Sequence, residues 1–143
     1  MKKYILAGFI AFAAIAFTAS SCKKYEDGPA ISLLTKKMRL CNDWVVDKYL
    51  ENGTDETNGT DMTSFMQSVI TEWSIKKDNS YTITGAGSES GTWSLGEDKD
   101  DVTFTPSSGT ARTFRILMLK SKELRLRQTN TNGTYNYLFL KQK

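Results

Sequence analysis

Two cysteines, several clustered carboxylates and no histidine frame the chemistry open to this chain of 143 residues. Histidine is the commonest general base and metal ligand, and without it Cys41 has no imidazole partner for a nucleophilic pair. Ser88 and Ser90 sit in "GAGSESG", but no Lys-Ser/Thr follows and the stretch joins strands rather than opening a helix, so it is not a phosphate loop. Asp98, Asp100 and Asp101 in "EDKDD" could contribute oxygens to calcium, yet the glycine and closing glutamate of a calcium loop are missing, and a solvated hairpin turn is the better reading. No pair of carboxylates stands in a recognisable hydrolytic context. The expectation is a protein with no catalytic residue, no metal and no cofactor.

The remaining reactive residue is Cys22. The first segment, "MKKYILAGFIAFAAIAFTASSC", has Lys2 and Lys3, an uncharged run from Tyr4 to Phe17, and then Thr18, Ala19, Ser20 and Ser21. That is the order of a secretory signal, and the run is shorter than the roughly 20 apolar residues of a spanning helix. Ala19, Ser20, Ser21 and Cys22 resemble a lipobox, the junction where bacteria acylate the cysteine and cut before it. Ala19 stands where leucine is usual. Ordinary cleavage, with Cys22 free to pair with Cys41, is the alternative. On the lipobox reading residues 1–21 are a signal, Cys22 carries acyl chains that hold the protein to a membrane, and Cys41 is left as an unpaired thiol. Lys23 in the position after the cysteine resembles the sorting pattern for the outer membrane, facing either the periplasm or the cell exterior.

Removing Lys2 and Lys3 from the 19 basic residues leaves 17 against 16 acidic ones, so the mature chain is near neutral. No basic run interleaved with aromatics remains, and no nucleic-acid partner is expected.

The elements that must carry the rest follow from periodicity. Residues 22–30, "CKKYEDGPA", read as a polar tether. In "ISLLTKKMRLCNDW", Ile31, Leu34, Met38 and Cys41 recur at helical spacing, which predicts a short amphipathic helix packed as a lid or plug on the domain that follows. From Asp43 the pattern turns to short β-branched and aromatic runs. Strands are expected at 43–50, 68–77, 80–85, 91–95, 101–106, 112–119, 123–129 and 134–141, mostly joined by hairpin turns. Asn132-Gly133 predicts a type I′ turn. The one long connection, 51–67, contains "NGTD" twice and "MTSFMQSV", which predicts a helical turn. The Asn-Gly-Thr triplets at Asn52, Asn58 and Asn132 read as turn formers. The sixth strand, with Phe114, Ile116 and Met118 alternating with Leu117 and Leu119, is apolar on both faces, and the helix at 31–41 is expected to cover its outside. Eight strands in meander order predict an all-β, antiparallel up-and-down eight-stranded β-barrel with a short N-terminal helix, over residues 31–143; a two-sheet sandwich is the alternative.

"SLLTKKMRLCNDW", "NGTD", "WSIKKDNSYTIT" and "GTWSL" together resemble the lipocalin-like domains of bacterial surface lipoproteins. Asn42 stands where these domains often have glycine. The resemblance implies a calycin-like barrel with Trp44 as a structural residue at its closed end, beneath a basic side chain from a late strand, for which Arg127 and Lys141 are the candidates. It also implies binding of a small hydrophobic ligand inside. Trp73, Tyr81, Trp93, Phe104, Tyr137 and Phe139 are the candidate interior residues; they either line a pocket or fill the space. The expected function is a non-catalytic, membrane-anchored lipoprotein that binds such a ligand, the alternative being a structural or inhibitory surface module that engages a protein partner through 51–67.

Overall fold

The computed structural model describes residues 34–143. The expected signal at 1–21, Cys22 and the tether at 22–30 lie outside the described residues. Helix α1 (Lys36–Leu40) precedes strand β1 (Asp43–Gly53), and the long connection holds a two-residue strand β2 (Thr60–Asp61) and helix α2 (Thr63–Val69). Strands β3 (Ile70–Ile75), β4 (Ser80–Gly85), β5 (Glu89–Leu95), β6 (Asp101–Pro106), β7 (Arg112–Leu119), β8 (Glu123–Thr129) and β9 (Tyr135–Gln142) follow. Each pairs antiparallel with its neighbour in sequence, and β9 pairs back with β1. Because β2 touches β1 alone, the closed ring has eight strands and the expected up-and-down barrel is found. Closure removes the exposed strand edges that would otherwise template aggregation.

Strand alternation builds the core. Trp44 and Val46, Trp73 and Ile75, Tyr81 and Ile83, Trp93, Val102 and Phe104, Phe114 and Ile116, Leu124 and Leu126, and Leu138 and Leu140 all turn inward and are buried. In β7 a register shift between Ile116 and Met118 breaks the alternation, so that Leu119 returns to the interior opposite Leu124 while Met118 lies across from Arg125. A bulge is how a strand apolar on both faces sends three of its side chains to one core. Helix α1 does not lie over the outside of β7 as expected; it caps the end of the barrel.

The docking face of α1 also differs from expectation. Leu34 and Met38 are exposed, whereas Lys36 and Leu40, one helical turn apart, are buried. The helix is only five residues long and starts at the Thr35 cap, whose side chain accepts from the Met38 N–H, so its orientation is set by three anchors. Lys36 Nζ donates to the backbone oxygens of Asp98 and Lys99 and meets Asp100 Oδ1 at 2.5 Å. Arg39 Nη1 donates to the Leu119 carbonyl at 2.6 Å. Trp44 Nε1 donates to the Leu40 carbonyl at 2.9 Å. The basic partner expected for Trp44 from a late strand is neither of the two candidates, because Arg127 stacks over Tyr135 and Lys141 pairs with Asp47 on the surface. The Asn132-Gly133 turn likewise differs from type I′, since positive φ occurs at Gly133 but not at Asn132. The Gly133 N–H bonds back to the Asn130 carbonyl, and Asn132 Oδ1 accepts from Thr134, so the side chain replaces the second left-handed residue in shaping the turn.

The β1–β3 seam is the weak join. These strands pair only at Asp43 with Ser74 and Trp44 with Trp73. Beyond that point α2 fills the gap: Gln67 Nε2 donates to the Val46 carbonyl at 3.1 Å, Thr63 Oγ1 accepts from the Tyr49 N–H at 3.1 Å, and the Met62 N–H donates to the Tyr49 carbonyl at 3.0 Å.

Trp44→Phe should keep an aromatic ring in the core while reducing its volume and leaving the buried Leu40 carbonyl without its donor. A loss of about 1–3 kcal/mol is expected, read as a lower urea midpoint at unchanged slope; an unchanged midpoint would show that the indole hydrogen bond does not hold α1.

Candidate functional site

The barrel has two unlike ends. At the α1 end, Leu40, Trp44, Leu119 and Leu124 are fully buried, and Trp93 Nε1 is satisfied by the Lys76 carbonyl of the β3–β4 turn at 3.0 Å. Higher up, four aromatic rings pack edge to face. Phe104 lies 5.2 Å from Trp73, 5.0 Å from Tyr81 and 6.0 Å from Phe114 between ring centroids, and Trp73 lies 6.1 Å from Phe114. This is the geometry aromatic quadrupoles favour, and it makes the middle of the barrel a packed core.

The opposite end, where β1 finishes and β5 and β7 begin, is polar on the inner face. Glu89 is the strand partner of Ile83, and Arg112 the partner of Phe104. Directly paired residues share a face, so both side chains point into the mouth. There Arg112 Nη2 forms an ion pair with Glu89 Oε1, and Tyr81 donates its hydroxyl to the same oxygen at 2.6 Å. The rest of the mouth is half-buried: Tyr49, Met66 and Ile70 pack against the core from β1, α2 and β3, and alternation from Leu126 and Leu138 places Gln128 and Asn136 on the same inner face. Burial, the hydrogen bond to Glu89 and the Glu89 charge push the Tyr81 phenol up to about 12. Burial also raises Tyr49, with Glu51 adding to the effect.

Two inner-face donors, one in the aromatic layer and one at the mouth, lack a protein acceptor among the described residues. Trp73 Nε1 and Arg112 Nε are both buried and unpartnered. An unsatisfied buried donor costs roughly 1–3 kcal/mol, so Arg112 Nε marks where an acceptor bound at the mouth would gain most.

Of the six expected interior residues, Trp73, Tyr81, Trp93 and Phe104 are inside and come together. Tyr137 and Phe139 are not. The unbroken pairing of β8 with β9 sets Leu126 against Leu138 and Leu124 against Leu140, which turns the aromatic set of β9 to the outer wall. Phe139 lies there between Lys48 and Arg125, 5.3 and 5.4 Å from its ring centroid. Tyr137 is buried on that outer side across from Leu50. The turn after β1 covers it, drawn down by Glu56 on Arg125 at 3.4 Å. A shallow outer groove of about 340 Å³ beside Phe139 is lined mainly by charged residues, including Asp47, Lys122 and Lys141. Glu89 and Arg112 are absent from the expected interior set. Arg112 was detectable, since it stands two residues before the inward Phe114; Glu89 was not, because Gly91 gave no side chain by which to extend the strand backwards.

Other candidates are spoken for by structure. Asp100 pairs with Lys36 and Arg115, and Asp101 with Arg115. Cys41 is half-buried and unpaired among the described residues, and burial raises its thiol pKa. The 51–67 connection supplies Thr63 and Gln67 to the β1 backbone, while its Phe65 is 57% exposed. No helix among the described residues is long and apolar enough to cross a membrane.

Comparison with known proteins places this geometry. A family described as a lipocalin-like domain matches residues 41–126. A solved structure of a DUF4847 family protein from Bacteroides vulgatus ATCC 8482 is similar over 76% of this chain and 96% of that one, with a TM-score of 0.52 and 12% identity. At that identity the likeness is one of fold. No curated protein matches the chain significantly.

The raised Tyr81 pKa has a testable sign. A phenol held protonated in the folded state contributes stability that is complete below its unfolded value near 10 and is lost as pH rises toward about 12. Chemical denaturation across that window should show the parent chain losing stability with pH more steeply than Tyr81→Phe; equal slopes would contradict the assignment.

Proposed function

The chain belongs to the lipocalin-like domain family, and from that premise we propose that it is a non-catalytic bacterial lipoprotein whose barrel takes a small hydrophobic ligand at its mouth. The observation that carries the ligand reading is the half-buried inner face above the aromatic core: Tyr49, Met66 and Ile70 offer apolar surface beside a few convergent polar groups, Glu89, Arg112 and the Tyr81 hydroxyl. Mostly apolar concavities with a small polar set are where small molecules bind. Because the aromatic rings already occupy the middle of the barrel, the ligand on this reading is shallow-seated and small.

Anchoring is supported by the sequence of residues 1–23. Acyl chains on Cys22 hold the domain at the outer membrane, on its periplasmic or external face. One chain alone binds marginally, and the multiple chains of a bacterial lipoprotein cysteine give stable attachment.

Growth with a clickable palmitate analogue should label the protein, and Cys22→Ser should abolish the label; a label that persists in the variant overturns the anchor. For the ligand, native mass spectrometry of the Cys22→Ser chain should show added mass that Gln128→Trp, which places an indole on the inner face of the mouth, removes. Identical adduct spectra for the two would overturn the mouth as the site.

A further inference from the structure

Among the described residues, the buried side-chain atoms left without a partner are all nitrogen donors: Arg39 Nε, Trp73 Nε1, Arg112 Nε and Arg127 Nε. Arg39 belongs to the α1 cap and Arg127 to the outer wall. The other two sit on the inner face and are joined through packed groups. The Trp73 ring lies against Phe104 at 5.2 Å, and Phe104 is the strand partner of Arg112. Of the two, Arg112 Nε is the one that belongs to the mouth, where a bound acceptor would satisfy it.

The charge at the mouth narrows the acceptor further. Arg112 is already neutralised by Glu89, and that carboxylate is further committed by the Tyr81 hydroxyl. A second carboxylate approaching Arg112 Nε would lie beside the first in a half-buried setting, where like charges repel. It would also have to shed part of its hydration, with no second cation placed on the inner face of the mouth among the described residues to replace it. An uncharged carbonyl takes the same hydrogen bonds and meets neither cost.

We propose that the mouth selects uncharged apolar molecules bearing a carbonyl-type acceptor, such as esters, ketones or amides, and discriminates against fatty acids and other carboxylates. This rests on the mouth being the ligand site. Arg112 supplies the donor, and Glu89 acts as the specificity-determining residue by holding the guanidinium charge.

The test uses a pair matched in shape, methyl decanoate and decanoate, titrated calorimetrically into the Cys22→Ser chain at neutral pH. The ester should bind tighter by about tenfold or more. Glu89→Gln, which leaves Arg112 with no carboxylate at the mouth, should raise decanoate affinity and narrow or invert the preference. If that variant does not fold, Arg112→Gln gives the opposite arm, in which decanoate falls further behind the ester. Decanoate binding as tightly as the ester in the parent chain overturns the selectivity while leaving the mouth as a site. Failure of both to bind overturns the site itself, and the selectivity with it.

Discussion

In a closed sheet every strand must have its backbone groups satisfied on both sides, and β1 is where that requirement is hardest to meet. On one side it pairs with β9 along nearly its whole length, through two register irregularities. On the other it meets β3 for only two residue pairs. Buried backbone groups do not go unpaired at small cost, so something must stand in for the missing partner strand. Side chains and backbone of the 60–69 segment do so, through Met62, Thr63 and Gln67. The long connection after β1 is thus part of the wall, and one flank of the mouth is made of helix instead of sheet.

The same constraint explains why the two ends of the barrel differ. At the α1 end all strands run close, the helix is fastened by Lys36, Arg39 and the Trp44 indole, and large aromatic residues can be buried completely. At the other end the wall parts around α2 and the interior meets solvent. A polar set is tolerable there because its members remain partly hydrated, with the Arg112 and Glu89 side chains 37% and 28% exposed. Packing thus divides one continuous interior into a fully buried floor and a partly hydrated polar rim.

Most of the fold was legible because local signals and global topology agree. Strands β4, β6, β7 and β8 have the boundaries their alternation predicts, and the helical turn in "MTSFMQSV" forms as α2. What failed did so where two patterns compete on one segment. In β9 both the aromatic and the aliphatic positions are apolar, so alternation alone cannot choose a face; the pairing with β8 chooses the aliphatics. In α1 the apolar stripe through Leu34 and Met38 lost to a lysine, because three backbone and carboxylate oxygens at one point outweigh two exposed apolar side chains. Of the mouth, the aromatic floor was readable, but the ion pair was not: Glu89 and Arg112 lie 23 residues apart on non-adjacent strands, and no local pattern links them.

The fastening of α1 has a mechanical consequence. The chain ahead of Leu34 enters the domain through a helix stapled across to the 96–101 turn by Lys36 and to the end of β7 by Arg39. A pull on that chain is therefore shared at once among several strands and loads their hydrogen bonds in parallel, instead of unzipping β1 one pair at a time. Force enters at the floor, and the mouth lies at the far end of the load path, where its geometry is least disturbed by tension.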